Sequence, residues 1–104
     1  MTTWKRWLAV CALAPVALTA LAQSQGQDAQ TRVAAAACAA CHGTNGLSLG
    51  GIPGIAGVDQ KQLLEKLQAY KKGELPATVM HQHAKGYSDA ELEQLAQFFS
   101  RQKR

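Results

Sequence analysis

The sequence has few large apolar side chains from which to build a core. Its 104 residues include only two Phe, two Tyr and two Trp, so 6% are aromatic. A domain of this size buries a small share of its surface, and such domains usually need a disulfide, a metal or a cofactor. We therefore expect one domain whose interior is completed by something other than its own side chains.

Several familiar patterns are also missing. No segment alternates between polar and apolar residues as a strand does, and no repeat is visible. The glycine-rich stretch 43–57 lacks the Gly-Lys-Ser/Thr ending of a phosphate loop, and no basic tract is interleaved with aromatics. These absences exclude a β architecture and argue against a nucleic acid partner. They leave an all-α fold with two long loops, at 43–57 and 75–86.

The first 22 residues have the pattern of a secretory leader. Lys5 and Arg6 precede the uncharged run 8–21, and small residues end the run at Ala20 and Ala22. The run is short for a bilayer span, so we expect cleavage near Ala22 and export to the periplasm, with membrane contact only through partners. The leader carries two of the charges behind the formal net charge of +4, which weakens any argument from basicity.

Residues 23–30 are polar and predict a flexible N-terminal tail, which leaves 31–104 as the domain. A first helix is expected to begin near Asp28 or Thr31 and to run through a series of alanines to Cys38. Alanine is the best helix former, and its small side chain allows a second helix to cross closely.

Two further helices are predicted from their caps. Asp59 with Gln62 indicates a start and Gly73 a stop, while Ser88 with Glu91 is the clearest capping box in the chain. The helix after Ser88 carries one apolar stripe, formed by Leu92, Leu95, Ala96 and Phe99. We expect Phe99 to pack this last helix against the alanine-rich first helix.

The motif Cys38-Ala39-Ala40-Cys41-His42 is the strongest chemical signal in the sequence. Two thiols at this spacing can each add to one vinyl group of a haem, and the adjacent histidine then presents a ring nitrogen to the iron. A leader agrees with this chemistry, because c-type haem is attached outside the cytoplasm. The motif predicts one covalent haem c, with His42 as an iron ligand.

Other uses of these cysteines fit less well. A thiol redox pair of the thioredoxin type sits on a βαβ scaffold, which the pattern does not predict here. A zinc site built from Cys38, Cys41, His81 and His83 would need a histidine pair more widely spaced than His81-x-His83.

The second axial ligand decides between a carrier and a catalyst. Met80 is the sole methionine after the start residue, and it precedes the last helix; His81 and His83 are its competitors. Ligand preferences favour Met80, and a His/Met pair fills both axial positions of the iron, which suits electron transfer. The alternative is a haem enzyme or gas sensor with an open sixth position.

From about residue 33 to residue 99, the sequence resembles the class I cytochromes c of bacteria. The resemblance rests on Cys-Ala-Ala-Cys-His-Gly at 38–43, Pro-Gly-Ile-Ala-Gly at 53–57, Val-Met at 79–80 and Ala-Lys-Gly-Tyr-Ser-Asp-Ala-Glu-Leu at 84–92. It implies crossed N- and C-terminal helices, with a third helix and long loops wrapped around one haem.

The same resemblance implies roles for individual residues. His42 and Met80 would be the axial ligands, the carbonyl of Pro53 would accept the other ring N–H of His42, and Ile55 would pack on the haem. The protein would then be an electron-transfer protein and not an enzyme by itself.

A narrower likeness lies in the Ala-Lys-Gly-Tyr-Ser run at 84–88, which resembles the haem subunit of flavocytochrome c sulfide dehydrogenases. It implies a flavoprotein subunit as partner, with an oxidase or another cytochrome as other redox partners. Lysines that could steer acidic partners, or simply form a solvated face, are Lys61, Lys66, Lys71, Lys72 and Lys85.

Overall fold

A computed structural model of the chain describes residues 14–104, with side chains from residue 21 onward. It has four α-helices and one short 3-10 helix, which are α1 (Ala14–His42), the 3-10 helix (Thr44–Gly46), α2 (Gln60–Lys72), α3 (Met80–Lys85) and α4 (Asp89–Ser100). No strand occurs among the described residues, and the predicted all-α class is confirmed. Most of the predicted leader, residues 1–13, lies outside the described residues.

The chain divides between Gln30 and Thr31 into two compact units. In the first, the backbone is helical throughout the described part, and all side chains from 21 to 30 are exposed. The expected helix start near Asp28 or Thr31 is therefore wrong, because α1 begins at Ala14. Gln and Ala are good helix formers, and each residue added to an existing helix gains a hydrogen bond, so polar composition alone does not end the helix. No helix in the described range has the length and apolar character that spanning a membrane requires.

The core of the second unit forms where α1, α2 and α4 meet. Its buried residues are Ala35, Leu63, Leu95, Ala96 and Phe99. Phe99 thus packs α4 against α1 through Ala35, as the sequence predicts. The Thr31 hydroxyl also donates a hydrogen bond of 3.1 Å to Oε1 of Gln94, which fixes the register of the two helices.

The predicted helix ends are present in the structure. The Asp59 carboxylate accepts the N–H of Gln62 at 3.1 Å, and Gly73 ends α2 in the left-handed conformation, with φ of 75°. At the start of α4, the Ser88 hydroxyl accepts the N–H of Glu91 and the Glu91 carboxylate accepts the N–H of Ser88. Each cap satisfies backbone donors that a helix leaves unpaired.

The segment 75–86, predicted to be a loop, contains the six-residue helix α3. This helix has no side-chain cap at Val79, and six residues are too few to show a helical period in the sequence. It is stabilised by packing, because its Ala84 is 1% exposed and α3 contacts α2. Tertiary contact has decided the conformation where local signals were weak.

Leu92→Ala tests whether α4 is central to the core. The Leu92 side chain is 0% exposed, so its truncation should lower the free energy of unfolding by about 2–5 kcal/mol. Val33→Ala is the control, since Val33 on α1 is 74% exposed and its change should stay within about 0.5 kcal/mol. Denaturant titration of both variants decides the point, and equal losses would contradict the assignment.

Candidate haem-binding site

The motif Cys38-x-x-Cys41-His42 occupies the last turn of α1. Residues three and four apart lie on the same side of a helix, so one short turn presents all three side chains together. Cys38 is half-buried and packs on the core beside Ala34 and Ala35, His42 is half-buried, and Cys41 is exposed. Packing of α1 on α4 therefore determines where this turn sits.

The His42 ring is oriented by a hydrogen bond to the backbone. Its Nδ1 lies 2.7 Å from the carbonyl oxygen of Pro53. A carbonyl can only accept, so Nδ1 carries the proton and Nε2 keeps its lone pair for a metal. This is the contact that the family resemblance implied, and it is the second contact that a histidine ligand usually makes.

Further hydrogen bonds hold the loop that supplies Pro53. The N–H groups of Ile55 and Ala56 both donate to the carbonyl of Gly46, at 2.9 and 3.1 Å. The N–H of Gly57 donates to the carbonyl of Phe99 at 2.9 Å, which attaches the loop to α4. The acceptor for His42 is thus positioned by the same helix that positions α1.

The structure places the remaining predicted residues in two regions. Ile55 is partly buried and packs against the core cluster that contains Phe99. Met80 is half-buried and is the first residue of α3, directly after Val79. His81 is half-buried, whereas His83 is exposed.

The thiol of Cys38 lies in a desolvated position at the edge of the core. Burial raises the pKa of Cys38, and its Sγ donates to the carbonyl of Ala34 at 3.6 Å. Reactive cysteines of the thioredoxin type have a lowered pKa. Cys38 and Cys41 are both free thiols.

A zinc site at the motif finds no support in the side-chain positions. Within residues 14–104, no three His, Cys, Asp or Glu side chains group in a way that could hold a metal ion. A structural zinc site needs four such ligands.

Sequence reasoning gave no role to Tyr87, which lies next to the motif. Tyr87 is half-buried and packs on the same core as Cys38. Burial raises the pKa of Tyr87, and the charges of Cys38 and Glu91 raise it further. Tyr87 belongs to the segment 84–92, one of the runs on which the family resemblance rests, and this was the only sequence signal for a role. The sequence does not show which helix a single tyrosine will pack against.

The residues present fit a covalently attached haem. Two free thiols and an imidazole with Nε2 available are the donor set that attachment requires. Large apolar side chains are exposed in the two loops that precede Pro53 and Met80, and they suit a flat apolar group. They are Leu47, Leu49, Ile52, Leu75 and Val79.

Comparison with known families agrees with this donor set. Residues 27–102 match the family model described as Cytochrome c. The match covers the motif, the Pro53 loop, Met80 and α4. No curated protein matched the sequence.

Gly46→Ala tests the loop that holds Pro53. Gly46 has φ of +81°, and a Cβ there would lie 2.7 Å from Cγ1 of Ile55 and 2.9 Å from the N of Ala56. The substitution should lower the free energy of unfolding by about 1–3 kcal/mol and weaken the His42 contact. Gly50→Ala is the matched control, because a Cβ there meets nothing within 4 Å. Denaturation curves that coincide for the two variants would contradict this account of the loop.

Proposed function

Since this chain belongs to the cytochrome c family, we propose that it is a periplasmic single-electron carrier whose haem iron is held between His42 and Met80. The family binds haem c covalently through the motif that is Cys38, Cys41 and His42 in this chain, and its members carry electrons. The further elements of the proposal are the second ligand, the compartment and the partner.

Several residues of the chain would hold the haem, each in a different way. Cys38 and Cys41 anchor it at the end of α1, and His42 offers Nε2 to the metal. When bound, haem supplies an iron that accepts and releases one electron. Pro53 keeps the His42 ring in one orientation through the 2.7 Å hydrogen bond. This hydrogen bond is the observation that most strongly supports the proposal.

Met80 is proposed as the second ligand on chemical and positional grounds. A thioether is a soft ligand that raises the reduction potential of a His-ligated haem. Met80 starts a helix whose position is set by contact with α2 and by the buried Ala84. A ligand on a packed element leaves no open position for a substrate, which favours a carrier over a haem enzyme or gas sensor.

Met80→Ala distinguishes these functions. The wild-type ferric protein should show the charge-transfer band of iron with thioether sulfur, and the variant should lose it. The variant should also become high-spin, bind cyanide rapidly and have a lower potential, because the sixth position is open.

His81→Ala and His83→Ala serve as matched controls and should keep the wild-type spectrum. If Met80→Ala left the axial ligation unchanged, one of these histidines would be the ligand instead. A high-spin wild-type protein would favour the enzyme or sensor.

The compartment and partner follow from the leader and from the likeness at 84–88. We propose that the chain is cleaved near Ala22 and serves a flavoprotein in the periplasm, as the haem subunit of a sulfide dehydrogenase would. Purification of tagged protein from the periplasmic fraction should yield a chain that begins at Gln23 and a flavin-containing partner in equal amount. Recovery of haem protein without flavin would reject the flavoprotein and favour a free carrier that serves an oxidase or another cytochrome.

A further inference from the structure

Met80 lies in a segment, residues 73–88, that leaves α2 and returns at α4. The hydrogen bonds of its backbone are local. Gln82 and His83 donate to the carbonyl of Val79, Gly86 donates to that of His83, and Tyr87 donates to that of Ala84. At the two ends, the N–H groups of Gly73 and Glu74 donate to the carbonyls of Tyr70 and Ala69 in α2, and Ser88 caps α4. Between these ends, the segment keeps its backbone hydrogen bonds within residues 79–87. Its attachment depends on apolar contact, chiefly at Ala84, and on how its two ends are joined.

An ion pair joins the two ends. Nζ of Lys71 at the end of α2 lies 2.8 Å from Oδ1 of Asp89, the first residue of α4. The two residues are 18 positions apart, and the Met80 segment is the chain between them. The Lys71 side chain is 29% exposed, so its stem is largely packed, whereas the side chain of Asp89 is 76% exposed.

The charges around this pair reinforce it. Lys72 also acts on Asp89, and Lys71 also acts on Glu91. A hydrogen bond from Lys71 is the main cause that lowers the pKa of Asp89. Basic residues at the C-terminus of α2 and acidic residues at the N-terminus of α4 also complement the two helix dipoles. The one direct ion pair, between Lys71 and Asp89, therefore lies among charges that favour it.

We propose that the Lys71–Asp89 pair is a clamp that closes the base of the Met80 segment and holds Met80 against the haem iron. The inference rests on the proposed His42/Met80 ligation. Lys71 and Asp89 are positioning residues, since they act on the iron only through the segment. The packing of α2 on α4 already brings the two ends of the segment near each other. The clamp adds a restraint at the base of the segment, which raises the cost of local opening there.

The test uses the haem-loaded protein with Lys71→Met, Asp89→Asn and the double variant. Lys71→Met keeps the packed stem and removes the charge, so it separates the clamp from packing. Amide hydrogen exchange in residues 74–87 should rise about two- to five-fold, and cyanide binding to the ferric protein should accelerate by a similar factor. Amide exchange and cyanide binding in the double variant should be only slightly faster than in Lys71→Met. The small difference is the effect of removing the Asp89 charge from the N-terminus of α4, where it interacts with the helix dipole.

Lys61→Met is the matched control. Lys61 pairs with Glu65 at 3.9 Å within α2, so this pair does not join α2 to α4 and its loss should leave exchange in 74–87 unchanged. Salt at about 1 M should bring the wild type close to Lys71→Met, because it screens surface charges. Exchange in 74–87 that is the same in wild type, Lys71→Met and Asp89→Asn would overturn the clamp.

The two proposals fail in different ways. Unchanged exchange in a protein that keeps its iron–thioether band would reject the clamp and leave Met80 as the ligand. Rapid cyanide binding by the wild type, without that band, would reject Met80 as the ligand and with it the clamp's action on the iron. Faster exchange in Lys71→Met would then still show that the pair closes the segment.

Discussion

The packing of α1 on the core that α2 and α4 form is the constraint on which the rest of the structure depends. Ala35 of α1 is buried in one cluster with Leu63 of α2 and with Ala96 and Phe99 of α4. This packing places the last turn of α1, with its two thiols and its histidine. It also places Phe99, whose carbonyl holds the Pro53 loop through Gly57. With so few large apolar residues, little else in the chain could perform this task.

The two sides of the proposed iron site are held by different kinds of interaction. His42 is fixed by a hydrogen bond to a loop that is itself bonded to Gly46 and Phe99. The Met80 segment has local hydrogen bonds, a buried alanine and an ion pair at its base. α3 is itself a packed helix, since it contacts α2 and buries Ala84. The backbone bonds of its segment are local, however, so the segment opens at lower cost than the Pro53 loop, which is bonded to Gly46 and Phe99. Of the two proposed ligands, Met80 is therefore the one expected to leave the iron more readily.

Sequence patterns predicted the structure correctly where the interactions involved join residues that are close in sequence. The caps at Asp59 and Ser88, the stop at Gly73 and the stripe on α4 need only residues within a few positions of one another. These patterns failed at α3 and at the start of α1. In α3, burial of Ala84 stabilises a turn that has no side-chain cap. In α1, a helix continues into a polar stretch because propagation is cheaper than nucleation.

The sequence by itself determined the chemistry of haem attachment. The two thiols and the imidazole lie within five consecutive residues, so they stay close together whatever path the rest of the chain takes. The sequence also determined the helical class, through alanine content and capping residues. Only the tertiary structure decided that Nδ1 of His42 meets the Pro53 carbonyl, and that Lys71 reaches Asp89. The first pair is 11 positions apart and the second 18. Contacts at such separations depend on the path of the intervening chain, and packing on α4 and α2 sets that path.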